Sequence, residues 1–275
     1  MQHEKAFYLV VTVLLVISIT TTLALALIPP IPQALSYHDF ADKRLMLAIP
    51  NFFNVISNAL FIIAGVVGLI TLLTSQRKVN LPSAQLKWPY IGLFLGAILT
   101  GVGSAYYHWL PNNASLFWDR LPMGIIFMSF FSAFIMERIN HWVGFYLLIP
   151  AILIASFCAG YWELSEQLGR GDLRLYGWSQ AYPILMILLT FIFFSSNYTG
   201  ERYLIGVFIL FSFAKLAEAL DKQVYDWSWQ LVSGHTLKHV LAAGAIFLII
   251  YYLKNRKLKA EPKSKFKAVL RGRSS

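Results

Sequence analysis

Charge is scarce in this chain: only 13% of its 275 residues are Asp, Glu, Lys or Arg, against roughly a quarter in an ordinary water-soluble domain. Polar helix faces are scarce too. Long apolar runs follow one another with short polar gaps, and many reach the ~20 residues that cross a bilayer. A soluble protein with several buried core helices is excluded on that ground, because its outer helices would need a polar side. Cysteine is nearly absent. Cys158 alone, set in an apolar run, excludes an intrachain disulfide framework and a cysteine-rich metal site. Any metal must then be held by histidine and carboxylate groups, and the chain has only six histidines.

The charge that is present is unevenly placed. From Lys254 to Ser275 nine Lys/Arg face one acid, Glu261, so +8 of the net +10 lies in this tail. A basic tail directly after a membrane span is an orientation signal and a surface for anionic lipid rather than a nucleic-acid site. Apolar spans are expected at about 7–29, 50–74, 88–109, 117–137, 142–159, 180–196, 202–219 and 233–253. The fold class is therefore all-α, a polytopic transmembrane bundle of a seven-helix core plus one N-terminal helix. The expected domains are an anchor at 1–30 (with a signal peptide as the alternative), a core at 31–253 and a basic tail at 254–275. Eight spans put both termini on one side, and the basic tail puts that side in the cytoplasm. Arg77, Lys78 and Lys87 then fall inside, while the neutral 30–49 and acidic 160–179 segments fall outside.

A charged or strongly polar side chain at bilayer depth is costly and calls for a partner or a task. Three places stand out. Ser104 and His108 close the third span at i and i+4 on one helix face, among Gly101, Gly103 and Ala105, which permit close approach. Asp119 opens the fourth span after a turn through Pro111, Asn112 and Asn113. His235 and His239 open the last span, again at i and i+4, the helical spacing of a metal-chelating pair. With the expected topology all three lie near the outer face. Three imidazoles with an open position are the catalytic form of a zinc site. Asp119 would orient and deprotonate a water, and Ser104 would hydrogen-bond the oxyanion at an attacked carbonyl. A serine nucleophile is the rival role for Ser104, but a metal-activated water already supplies a nucleophile. A proton-relay transporter would spread its charged groups through the bilayer depth, whereas here they cluster at one side.

At these residues the sequence resembles the alkaline ceramidases, alkaline phytoceramidases included, and more widely the CREST group of seven-helix membrane hydrolases. The resemblance rests on Gly103-Ser-Ala-Tyr-Tyr-His-Trp-Leu-Pro111, Trp118-Asp-Arg-Leu-Pro-Met123 and Ser233-Gly-His-Thr-Leu-Lys-His239, within a match from about Asp39 to Tyr252. It implies zinc on His108, His235 and His239, completed by Ser104 and Asp119, and hydrolysis of the ceramide amide to a fatty acid and a sphingoid base. The alternative within the group is a receptor-like or lipid-remodelling protein acting on another lipid ester or amide. Either way the partner is a lipid. The extra first span points to a bacterial plasma membrane.

The same family carries a calcium site before its first core helix. The corresponding positions here are Asp39, Asp42 and Asn51, but Arg44 stands where the family has an asparagine. An arginine weakens a site that needs several oxygens. Two outcomes are open: calcium on Asp39, Asp42 and Asn51, or Arg44 paired with Asp39 or Asp42 in its place. Elsewhere, Lys215, Glu218 and Asp221 are expected to form an ion-pair ladder, Asp172 and Arg174 a turn, and Asn54, Ser57 and Asn58 interhelical hydrogen bonds. His3, His38 and His141 read as loop or interface residues.

Overall fold

A bilayer offers no partner for backbone polar groups, so each apolar run must close its own hydrogen bonds as a helix. The structure, a computed structural model, describes residues 2–74, 81 and 83–259. Arg77, Lys78 and the basic residues beyond 259, assigned above to the inner side, lie outside the described residues. The described residues form α1 (Gln2–Ala24), α2 (Phe52–Ile56), α3 (Ala59–Thr74), α4 (Lys87–Trp109), α5 (Asn113–Arg138), α6 (His141–Gln167), α7 (Arg174–Phe193), α8 (Glu201–Ala219), α9 (Asp221–Trp227) and α10 (Gly234–Asn255). Apart from 3-10 turns, the rest is loop, and among the described residues no strand forms. The protein is an all-α helical bundle.

Among the described residues six helices are long and apolar enough to cross a membrane: α2 with α3, then α4, α5, α6, α7 and α10. α8 and α9 pass the same test only together, bent by 87°. That bend was not foreseen. The expected 50–74 span is broken instead at Ser57 and Asn58, between α2 and α3. The outer gap expected at 160–179 is mostly helix, because α6 runs on to Gln167 and α7 starts at Arg174. α1 leans on α7 through Ser18 and Tyr182, whose hydroxyls are 2.8 Å apart, and its described apolar portion, Val11–Leu27, is shorter than the other spans.

α5 is the central element, packed between α4 on one side and α6 and α7 on the other, while α10 packs against α3 and α8. Two glycines set the closest crossings. A Cβ at Gly103 would stand 2.0 Å from the Trp118 carbonyl oxygen, so only glycine lets α4 meet the first turns of α5. One at Gly234 would stand 2.1 Å from the Ala217 carbonyl oxygen, where α10 starts beneath the α8–α9 bend. Side-chain caps fix the starts that matter. Asn112 and Ser115 form a reciprocal capping box on α5, and Ser233 accepts from the Thr236 amide on α10. At the opposite end of the bundle Arg256, buried among Tyr90, Tyr198 and Tyr252, donates to Glu137 at 2.6 Å. The first residues of the basic segment are thus packed on the bundle.

Candidate metal centre

The C-terminal turn of α4 and the first turns of α5 and α10 meet at one end of the bundle. His108, His235 and His239 come together there, fully enclosed, with one nitrogen of each ring within 4.8 Å of the others. The ring centroids form a near-equilateral triangle: 4.7 Å between His108 and His235, and 5.0 Å for each of the other two pairs. His108 Nδ1 and Nε2 and His239 Nε2 are buried without a hydrogen-bond partner. Buried ring nitrogens are ordinarily satisfied. Lone pairs left bare and converging are what a cation would take up, so the residues fit a metal ion.

Each histidine is supported from outside the triad, His239 at its ring and the other two at their backbone as well as by packing. Ser57 Oγ lies 2.8 Å from His239 Nδ1 and is itself anchored on the Asn54 carbonyl at 3.2 Å. Asn51 Nδ2 donates to the His108 carbonyl oxygen at 2.8 Å. Asp221 Oδ1 accepts from the His235 amide at 2.7 Å and its Oδ2 from the Ala41 amide at 2.9 Å, capping α10 while tying down the loop that precedes α2. Lys238 Nζ stands 3.0 Å from His235 Nε2 and 2.8 Å from Glu218 Oε1. Phe40, from the same loop, covers the triad: its ring centre is 4.6 Å from that of His108 and 4.9 Å from that of His235. Such outer contacts orient ligands and select the tautomer.

Ser104 and Asp119 complete the end of the cavity. Both are buried, and the Ser104 side chain neighbours the Asp119 carboxylate at the α4–α5 crossing, where Gly103 lies against the Trp118–Asp119 backbone. Asp119 also feels the charges of Lys238, Arg120 and Glu218. All five residues singled out in the sequence therefore share one end of the bundle.

The candidate calcium residues do not come together as a cation site. Arg44 grips Asp42 with two hydrogen bonds, 2.8 Å from Nε and 2.6 Å from Nη2, and reaches the Leu231 carbonyl at 2.9 Å. Asp39 faces outward between Lys43 at 2.5 Å and Lys222 at 2.7 Å, and these cations hold its pKa down at about 2. Asn51 is spent on His108. Of the two outcomes left open above, the structure has the one in which Arg44 pairs with Asp42.

Two further readings change and a third stands. Lys215 and Glu218 pair as expected, but Asp221 leaves the ladder to cap α10. His38 is no idle loop residue: its Nδ1 is 2.9 Å from the Tyr107 hydroxyl and its Nε2 2.9 Å from Asn113 Oδ1. Asp172 and Arg174 do form their pair, at 2.7 Å. Phe40 and Asp221 were not foreseen as site residues. Nothing in their local pattern marks them, since their roles depend on contacts across the fold.

Fold and site together define an all-α membrane helix bundle with a buried three-histidine group able to hold a metal ion. No protein-family model, curated protein or solved structure matches the chain, so its activity is argued from the residues themselves.

Proposed function

We propose that the chain is a zinc-dependent membrane hydrolase that cleaves the amide of ceramide-like lipids to a fatty acid and a sphingoid base. The observation that carries this reading is the buried three-histidine group, with nitrogens of His108 and His239 bare, and the Ser104–Asp119 pair beside it. Three neutral nitrogen ligands and an open position suit zinc. The resemblance to the alkaline ceramidases supplies the amide and the ceramide.

When bound, zinc supplies a water of lowered pKa and a Lewis acid for the carbonyl. His108, His235 and His239 would hold the ion, and Lys238, which now stands against His235 Nε2, is also held by the Glu218 carboxylate. Asp119 takes the proton of the attacking water and passes it to the departing amine nitrogen as the C–N bond breaks. Ser104 turns its proton from Asp119 to the carbonyl oxygen as negative charge builds there. Phe40 keeps bulk water off the triad, which strengthens each of these interactions.

In the same reading both termini lie in the cytoplasm of a bacterial plasma membrane, and the triad opens near the outer face. The direct test is hydrolysis of a panel of ceramides, phytoceramides and lipid esters by purified protein, with zinc content measured in parallel. Near-unit zinc, turnover of at least one ceramide, and loss of both in His239→Ala are expected. Full turnover in His239→Ala, or after chelation to zero metal, would sink the mechanism.

A further inference from the structure

Next to Asp119 in the chain, Arg120 points the other way. Its guanidinium enters the cleft between α5, α6 and α7, with its central carbon 4.2 Å from the ring centre of Trp162, 4.6 Å from Tyr176 and 5.3 Å from Tyr37. The side chain is buried at 6% exposure, yet among the described residues no carboxylate lies within ion-pair distance of it. The nearest polar support is neutral: Gln33 Oε1 accepts from Nη2 at 2.7 Å. Glu166, in the same corner, is occupied by the Gln33 amide at 2.7 Å, Trp162 Nε1 at 3.2 Å and Asn113 at 3.3 Å. Arg120 Nη1 has no hydrogen-bond partner among the described residues.

A buried guanidinium with one edge bare is costly, and arginine is the side chain best shaped to hold a carboxylate or phosphate. A second observation marks the same cleft. One turn further along α5, Gly124 packs closely on Ala155 of α6, with a Cβ there 2.9 Å from the Ala155 Cβ and 3.8 Å from Gln180 Nε2 on α7, and both amide atoms of Gln180 are buried without hydrogen-bond partners. Arg120 and, a turn away, Gln180 thus leave unused donors and an acceptor between α5 and α7. The cleft adjoins the catalytic end: the Tyr37 hydroxyl reaches Glu218 at 3.5 Å, and Glu218 holds Lys238 beside His235.

We infer that this cleft receives the polar end of the substrate and that Arg120 binds an anionic group carried by that lipid. Within the acyl amides of the proposed reaction, the preferred substrate is then one with a negatively charged group at its head. Gln180 offers its amide to the polar atoms beside the charge. The inference rests on the hydrolase reading for its link to turnover, but the binding site stands on its own geometry.

A matched pair of lipids tests it: N-palmitoylglycine, with a carboxylate, and N-palmitoylethanolamine, with a hydroxyl in its place. Equilibrium binding of both is measured on the full chain in nonionic detergent, as purified and after chelator treatment. The carboxylate lipid is expected to bind about tenfold tighter in both states, as a charge-assisted hydrogen bond in a buried setting allows. Arg120→Gln is expected to abolish that preference and leave the neutral lipid unaffected, with Arg120→Lys keeping part of it. Equal binding of the two lipids by wild-type protein would overturn the inference, and this arm needs no variant to fold. Loss of the preference on chelation alone would also overturn it, by assigning the carboxylate to the metal. A preserved preference in a protein without zinc or turnover would uphold this site while sinking the hydrolase reading.

Discussion

Ser57 Oγ lies 2.8 Å from His239 Nδ1, across 182 positions of sequence. The contact fixes the ring so that Nε2 faces the other two histidines, and it comes from the break between α2 and α3 rather than from a helix interior. Outer-shell hydrogen bonds of this kind are worth about 10–100-fold in metal affinity. Ser57→Ala is therefore expected to weaken zinc binding by about tenfold, and His239→Ala to abolish it. Competition against a chelator of known affinity measures both. An unchanged Ser57→Ala affinity would mean that the ring needs no such support.

Asp119 and Ser104 touch each other and, in the proposed mechanism, the reacting atoms, but not the metal. Asp119→Asn and Ser104→Ala should retain metal while losing about 10²-fold or more in kcat. Because the two are neighbours in one site and serve the same step, the double variant should lose less than the product of the single losses. Strictly multiplicative losses would show that they act separately.

Asp172 lies in the loop before α7, gripped by Arg174 through bonds of 2.8 and 2.7 Å. That grip, countered by some burial, holds its pKa at about 2, below the ordinary 3.8. A carboxylate depressed in the folded state stabilises the protein above its unfolded pKa, and the gain disappears as pH falls through the folded one. Between about pH 4 and pH 2 the wild type should lose stability more steeply than Asp172→Asn. Thermal unfolding in detergent across that range decides it, and parallel curves would remove the pair from the acid limb.

The proposed orientation is checked by labelling intact cells. The native Cys158 is buried and serves as a silent background. A membrane-impermeant thiol reagent should reach Ala114→Cys, exposed at the start of α5, and not Asn197→Cys, exposed at the opposite end. The reverse pattern would turn the protein over in the membrane.

Much of this molecule was legible in its sequence because a bilayer leaves few choices. Where backbone groups have no water to bond, a run of ~20 apolar residues can only be a helix, and α4, α5 and α10 start and stop within a few residues of where the runs do. The five polar residues Ser104, His108, Asp119, His235 and His239 stood out for the same reason: each is expensive at that depth. Their meeting followed from the up-and-down order of the spans.

What the sequence by itself determined was thus the class of fold and the chemical membership of the site. The tertiary structure decided what no local pattern encodes. It seated Arg44 on Asp42, where a neighbouring charge at short range outcompetes any site needing several free oxygens. It took Asp221 from its expected ladder to cap α10, because the 87° bend after α8 brings that carboxylate to the bare amides of the next helix. It also turned Arg120 away from Asp119 into a separate aromatic cleft, since consecutive residues on a helix point about 100° apart. Side-chain type is local information, whereas the partner each side chain finds depends on which helices cross, and at Gly103 and Gly234 that is set by how closely two backbones can approach.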